Sequence, residues 1–174
     1  MPQLRWRPLI EHLGPRAVVV TGSMRVSIHS ASGEILGVEE KHPGVPYRVD
    51  WQEFHDRCEE AGYEPPPYIR ELIRDYEVPV GMVSDGSSVP RPFWPVARPF
   101  GETLIAAILH DPWFKLGVDG RGRVIDRCTA DDGYLYTTIA DGVWEPKCLA
   151  MRGGLRVGSW VAWNRYRRLE GDQA

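Results

Sequence analysis

A histidine and an aspartate stand next to each other in AAILHDPWF, residues 106–114, within an otherwise apolar segment. The apolar neighbours predict that both ionisable side chains lie in the interior, where each needs a partner. Successive residues of a helix point roughly 100° apart, so His110 and Asp111 cannot readily pair with each other. Asp131 and Asp132 follow after a short connection and are the candidate partners of His110.

Hydrolysis is the chemistry that such a group of residues can carry out. A carboxylate that holds one imidazole nitrogen fixes the tautomer of His110 and raises its basicity, as proton abstraction from water requires. A hard cation such as calcium would bind the Asp111 carboxylate together with loop carbonyls and water, and it can stabilise a developing oxyanion. The segment SDGSS, residues 84–88, offers such carbonyls and the carboxylate of Asp85. The pattern therefore predicts a hydrolytic site.

Four side chains are candidates for the wall of a pocket at this site: Ser84, Ser88, Trp94 and Trp113. A structural interpretation stays open beside the catalytic one. His110 can hydrogen-bond a loop carbonyl, Asp111 can cap the segment that begins at Pro112, and SDGSSVPR can form tight turns. Pro112 disfavours helical geometry at the residue before it, so we expect the helix to end or kink there. The chain contains no GxSxG, P-loop, GxGxxG or HExxH motif.

Hydrophobic periodicity and end signals predict the elements of the N-terminal half. Residues 17–36 alternate like a strand and contain a Ser32–Gly33 turn, which predicts a hairpin. DWQEFHDRCEEAG, residues 50–62, predicts a helix with a capping box at its start, a glycine at its end and Trp51, Phe54 and Cys58 on one face. Three prolines at 65–67 predict a short helix that continues through Ile69, Leu72 and Ile73.

The C-terminal half is predicted to be mainly helical. A strand and an irregular, packed loop are expected over residues 76–101, followed by a core helix over ETLIAAILHD. The next helix is predicted to start at Thr129, whose TADD resembles a capping box and places Asp131 and Asp132 in the first turn. The last helix is predicted from about Glu145 to Arg168. Its expected packing residues are Leu149, Val157, Trp160, Val161 and Trp163, and Gly153, Gly154 and Gly158 allow a neighbour to approach closely.

Length and composition indicate one domain of ordinary globular character. The chain has 174 residues, of which 43% are hydrophobic and 26% charged, and its formal net charge is −3. No broad basic face indicates nucleic-acid binding, and no apolar stretch is long enough to span a membrane. An N-terminus without an apolar signal core favours the cytoplasm. Three cysteines without a CxxC pair are expected to be reduced core thiols.

These patterns together predict an α+β fold. A helical core surrounds the helix of His110 and Asp111, and a small antiparallel sheet comes mainly from the N-terminal half. The single domain spans residues 1–174, with a hairpin and helices in residues 1–76 and the site-bearing core in residues 77–168.

Three segments in this order resemble a family that is common in bacteriophages and prophages, the domain of unknown function 1353 family. They are VPVGMVSDGSSVPRPFWP, AAILHDPWF and TADDGYLYTTIADGV, and the resemblance covers roughly residues 77–166. It implies a phage protein that acts in the host cytoplasm during infection or is incorporated in the virion. The tyrosine usual three residues after the family's His–Asp pair is Phe114 here.

The chain is also distantly similar to the helical core of secreted phospholipases A2, particularly small bacterial ones. In those enzymes a helical histidine is the general base, the adjacent aspartate holds calcium, and a later aspartate on an antiparallel helix orients the histidine. The similarity implies His110 as base, Asp111 as calcium ligand supported by Asp85, and Asp131 as the orienting group.

Two functions of different classes follow. One is a calcium-assisted, phospholipase A2-like ester hydrolase acting on a lipid or another ester. The other is a non-enzymatic virion, tail-associated or assembly protein that binds phage structural proteins and in which the polar cluster is structural.

Overall fold

The computed structural model describes residues 6–14, 17–25, 41–44, 46–74, 76–84 and 102–171. The predicted Ser32–Gly33 turn and most of the irregular loop, with Asp85, Ser88 and Trp94, lie outside these ranges. The described strands are β1 Trp6–Gly14, β2 Ala17–Arg25, β3 Lys41–Pro43, β4 Tyr47–Arg48, β5 Glu77–Val78 and β6 Val83–Ser84. The helices are α1 Trp51–Glu60, α2 Pro67–Ile73, α3 Leu104–Leu116, α4 Arg127–Ala140 and α5 Glu145–Gly171.

A small antiparallel sheet is built around β2. On one side β2 pairs with β1, whose end Gly14 lies opposite Ala17. On its other side β2 pairs with β3 at one end and with β6 at the other, where Val18 lies opposite Ser84. The predicted strand at residue 17 is confirmed through Arg25, but its described hairpin partner is β1, which the sequence analysis missed. Strands β4 and β5 form a separate antiparallel pair.

The first two helices agree with their sequence signals. Asp50 is the N-cap of α1 and accepts a hydrogen bond from the backbone N–H of Glu53 at 3.1 Å. Phe54 and Cys58 are fully buried, and Gly62 has a positive φ after the end of the helix. Helix α2 begins at the third proline and buries its three predicted apolar residues, Ile69, Leu72 and Ile73. Both helices pack against α4.

Helix α3 lies in the core, as its apolar sequence predicts, with every residue from 105 to 114 buried. Of the two effects expected from Pro112, an end or a kink, the end at Asp111 is wrong, because α3 continues through Pro112 to Leu116. Proline has no N–H for the helical hydrogen bond and its ring crowds the preceding turn, at a cost of about 3 kcal/mol. The fully buried Trp113 and the nearly buried Phe114 follow the proline, and their packing holds this last turn in place.

Helix α4 begins two residues before the predicted position. Its N-cap is Asp126, whose side chain accepts a hydrogen bond from the backbone N–H of Thr129 at 2.6 Å. That hydrogen bond also holds the pKa of Asp126 below its usual value. Asp131 and Asp132 therefore lie in the second turn, not in the first turn as expected, and their partners are side chains rather than the helix terminus.

Helix α5 presents a different face to the core than the one predicted. Trp163 packs against Phe114, with 5.2 Å between their ring centroids. Four of the five expected packing residues are instead exposed: Leu149, Val157, Trp160 and Val161. The inward residues include Cys148, Met151 and Leu155, together with two arginines described below. An added methyl group at Gly153, Gly154 or Gly158 would meet no atom within 4 Å.

The hydrophobic core joins β2 with all five helices, so the predicted α+β fold is confirmed. Two of the three cysteines, Cys58 and Cys148, are buried in this core, but Cys128 is exposed, which corrects the expectation of three core thiols. None of the described helices combines the length and the apolar character needed to cross a membrane.

Gly133 is where α4 approaches its neighbours most closely. A methyl group there would lie 2.7 Å from Leu72 Cδ2 and 2.8 Å from Trp113 Cζ3. We expect Gly133→Ala to lower the free energy of unfolding by about 1–2 kcal/mol, because overpacking exceeds the gain in helix propensity. Gly158→Ala is the matched control, since it should raise stability by up to about 1 kcal/mol. Chemical denaturation of both variants measures this, and a stabilised Gly133→Ala protein would contradict the close packing.

Burial also makes the three cysteines differ in their reactivity toward a thiol reagent. It raises the pKa of the Cys58 thiol to about 12 and raises the pKa of Cys148 as well. Because the thiolate is the reactive form, both buried thiols should resist a thiol reagent at pH 8, while the exposed Cys128 reacts. We expect one modified thiol per folded chain and three after denaturation, measured by spectrophotometric titration. Cys128→Ser is the control that should abolish the reaction of the folded protein.

Candidate functional site

Helices α3 and α4 run antiparallel and bring the predicted histidine and aspartate together. His110, at the middle of α3, meets Asp131 near the start of α4, while Ala106 and Ala107, one turn earlier on α3, pack with Tyr134 further along α4. The distance between His110 Nε2 and Asp131 Oδ1 is 3.3 Å. Asp131 is completely buried and His110 is 7% exposed. The pair therefore lies under the surface, with a narrow exposed edge at the histidine.

The second oxygen of the Asp131 carboxylate is bound by an arginine. Arg127 lies one turn earlier on α4, and its Nη1 is 3.3 Å from Asp131 Oδ2. The same guanidinium donates to three groups of α5: the carbonyl oxygens of Arg156 at 2.9 Å and Leu155 at 3.5 Å, and the hydroxyl of Ser159 at 3.0 Å. Asp131 is thus held from both sides, which fixes the oxygen that faces His110.

Aromatic rings enclose the imidazole. The ring of Phe114 lies 5.1 Å from that of His110, and the ring of Tyr134 meets it edge-on at 5.6 Å. Phe114 therefore contributes an apolar surface at this position. Among the described residues His110 forms its hydrogen bond through Nε2, and its Nδ1 has no partner there. This arrangement leaves one ring nitrogen available for a proton transfer.

Asp111 lies on a different side of α3, as helical geometry requires. Its Oδ2 is 3.3 Å from the ammonium group of Lys115. Burial, and then the negative charge of Asp111, raises the pKa of Tyr76 well above its usual value. The Tyr76 hydroxyl and the indole N–H of Trp113 are both buried and have no hydrogen-bond partner among the described residues, and the two rings lie 4.9 Å apart. Buried donors of this kind commonly mark a site for water or a ligand.

The remaining predicted site residues fall into two groups. Ser84 is fully buried at the end of β6, a strand that packs against α3, and Trp113 is fully buried in the core. Asp85, Ser88 and Trp94 lie outside the described residues, and Asp85 follows Ser84 directly in the chain. The structure therefore places the start of the predicted calcium-binding segment beside the helix that carries Asp111.

A second buried carboxylate, Asp132, does not approach His110. Its Oδ1 accepts hydrogen bonds from Arg152 at 2.8 Å and Arg156 at 3.0 Å, and its Oδ2 accepts one from the hydroxyl of Tyr68. Asp132, which was one of two candidates, is thus not the partner of His110, and its arginine cluster was not predicted from the sequence. A usable signal was present, because two arginines four residues apart share one face of a helix.

A different group of three residues has the spacing of metal ligands. His55, Asp56 and Glu59 lie on the outer side of α1, with possible ligand atoms within 4.8 Å of one another. In the part of the chain that the structure describes, it is the one group of three such residues at that spacing. Asp111 is not part of it, so any cation at Asp111 needs ligands from other parts of the chain.

Comparison with protein families gives one match. A family model described as "Protein of unknown function (DUF1353)" matches residues 63–152. The match starts and ends earlier than the predicted resemblance over 77–166, so it includes α2 and leaves out most of α5. It contains the whole polar cluster on α3 and α4. Searches of curated proteins and of solved structures gave no match.

The buried ion pairs at Asp131 should contribute more to the free energy of unfolding than a comparable surface ion pair. Asp131→Ala leaves His110 and Arg127 without their common acceptor, and we expect a loss of about 3 kcal/mol in the free energy of unfolding. Glu71, which pairs with Arg121 and Arg123 at the surface, is the matched control. Glu71→Ala should cost less than about 1 kcal/mol. Equal losses in urea denaturation would contradict a dominant role of the buried carboxylate.

Proposed function

From the premise that the chain belongs to the DUF1353 family of proteins of unknown function, we propose that it is an ester hydrolase with His110 as general base. One observation carries the proposal. A buried carboxylate binds one nitrogen of the imidazole at 3.3 Å and leaves the other nitrogen without a partner among the described residues. A fixed tautomer with an available nitrogen is what a general base needs.

Each side chain has a defined task in the proposed reaction. Asp131 accepts the Nε2 proton of neutral His110, so Nδ1 carries the lone pair. That nitrogen takes a proton from water while the water oxygen bonds to the ester carbonyl carbon. The carbonyl electron pair moves to oxygen, and the positive His110 is stabilised by the Asp131 charge. When the tetrahedral intermediate collapses, His110 returns the proton to the leaving alkoxide, and an acid and an alcohol are released.

Arg127 is a positioning residue in this scheme. It occupies Asp131 Oδ2, so Oδ1 is kept for the histidine, and it connects the carboxylate to three groups of α5. The rings of Phe114 and Tyr134 limit the access of water to the imidazole. A partly dry site strengthens the attraction between His110 and Asp131. Apolar walls also favour an ester with an apolar chain, such as a phospholipid.

We propose calcium as the cofactor and Asp111 as its protein carboxylate ligand. Asp111 is buried on α3, a helix that packs against β6, and we propose Asp85 and the backbone carbonyls that follow this strand in the sequence as the further oxygen ligands. The buried, unpartnered Tyr76 hydroxyl near Asp111 supports a polar ligand in this place. Lys115 must give up its contact with Asp111 when the cation binds. Bound calcium would supply a positive charge for the developing oxyanion.

Hydrolysis of phospholipid vesicles and of a soluble chromogenic ester tests the proposed general base. We expect His110→Ala to lower the rate by at least about 100-fold, because general base catalysis contributes that much. His55→Ala is the matched control, since it removes a surface histidine of α1 and should leave the rate unchanged. Circular dichroism of both variants reports whether they fold. Wild-type rates that survive in folded His110→Ala protein would reject the proposal.

Calcium calorimetry tests the cation site separately. The wild type is expected to bind calcium, whereas Asp111→Ala should lose the binding and a chelator should abolish hydrolysis. The control is Glu60→Ala, which removes an exposed carboxylate of α1 and should leave calcium binding unchanged. Hydrolysis that depends on His110 but not on calcium would reject the cation while keeping the general base. No calcium binding at millimolar concentration and no hydrolysis would leave His110 and Asp131 as a structural pair.

A further inference from the structure

The outer face of α5 is apolar, and none of the residues that the structure describes covers it. Val157 is 79% exposed, Val161 61% and Trp160 56%. Gly153 and Gly154 lie on the same face, one turn before Val157, and nothing approaches the position of an added methyl group at either of them. Exposed valines, a tryptophan and glycines on one helix face are the composition of an interface rather than of a solvated helix.

The two glycines pack against no side chain in the described part of the chain. Each glycine within a helix costs roughly 1 kcal/mol relative to alanine, and helices that must stand alone seldom retain two in succession. A glycine does allow another helix to come close, because it lacks a side chain. The surface around Gly153 and Gly154 therefore fits a partner that fills the space above them.

The pattern of large and small residues is complementary to itself. Counted from Val157, the residues three and four positions before it are the two glycines, and those three and four positions after it are Trp160 and Val161. If two copies of α5 pack antiparallel with Val157 at the centre, the large pair of each copy faces the small pair of the other. A twofold axis requires this kind of reciprocal fit.

Charge favours the antiparallel arrangement over the parallel one. The C-terminal part of the face carries the exposed residues Arg165 and Arg168. The N-terminal end of α5 carries Glu145 in its first turn, and Glu102 lies 2.9 Å from Lys147. An antiparallel pair brings the basic end of one helix to the acidic end of the other. A parallel pair would place the arginines against their own copies, which is repulsive.

A surface groove on the same face of α5 provides space for further residues of the second copy. It has a volume of about 360 Å³ and is lined by Trp160, Val161, Asn164, Arg165 and Arg168. In the antiparallel register the segment of the second copy around Leu149 lies along this groove. Leu149 is itself 45% exposed, so its burial is part of the gain. We propose that the protein forms a homodimer through antiparallel packing of its α5 helices about Val157. The inference does not rest on the hydrolase proposal.

Sedimentation of the full chain tests the dimer. The wild type is expected at twice the chain mass of 19.7 kDa. Val157→Glu places two carboxylates at the twofold axis and should give the single chain mass, with the helical circular dichroism unchanged. The matched control is Val124→Glu, at a residue that is 88% exposed and lies outside α5, and it should stay dimeric. A monomeric wild type, or a dimer that tolerates Val157→Glu, would overturn the proposal.

Two further variants test the geometry. Val157→Cys in a Cys128→Ser background should form a disulfide-linked dimer on mild oxidation, whereas Val124→Cys in the same background should not. Arg168→Glu should shift the equilibrium toward monomer, because a carboxylate would then lie beside Glu145 of the second copy. A tighter dimer in Arg168→Glu would overturn the antiparallel direction. In a parallel pair the basic ends face each other, and the new carboxylate of each copy would lie near Arg165 of the other and reduce their repulsion. Absence of the Val157→Cys link would overturn the position of the axis.

Discussion

Two adjacent carboxylates inside a folded chain impose the constraint around which these helices are arranged. Asp131 and Asp132 are successive residues of α4, and both are buried. A buried charge without a partner costs several kcal/mol, so each carboxylate requires donors on its own side of the helix. Asp131 faces α3 and receives His110, and Asp132 faces α5 and receives two arginines. The positions of α3 and α5 relative to α4 follow from these two requirements.

Close packing then holds the helices in the positions that the buried charged groups require. Trp113 of α3 and Leu72 of α2 both approach α4 at Gly133, where a side chain would not fit. The C-terminal end of α3 is held from outside as well. Gly117 has a positive φ of 63°, and the Arg167 guanidinium covers it while donating to the carbonyl of Phe114 at 3.1 Å. The packing of Trp113 at Gly133 and the Arg167 contact both hold the last turns of α3. The helix therefore continues across Pro112, and His110 faces α4.

Local sequence signals were sufficient to predict some helices and ambiguous for others. Helix α1 was predictable because its cap, apolar face and terminal glycine agree. The start of α4 was not, since Asp126 and Thr129 both precede suitable first turns, and only the hydrogen bond to the Thr129 N–H decides between them. Helix α5 was assigned the wrong buried face because hydrophobicity favoured the side of Trp160. Asp132 binds two arginines, so the arginine-bearing side of α5 turns inward. The sequence of α5 alone does not reveal this, because Asp132 lies on α4.

The contact between His110 and Asp131 was suggested by the sequence, but the role of Arg127 was not. Arg127 connects the two halves of the polar cluster, because it binds Asp131 and also the Arg156 carbonyl and Ser159 hydroxyl of α5. Arg156 in turn binds Asp132. Arg127 therefore links α5 to the carboxylate that binds His110. Since a shift of α5 must lengthen the Arg127 contacts or move Asp131, the position of α5 and the geometry at His110 are coupled.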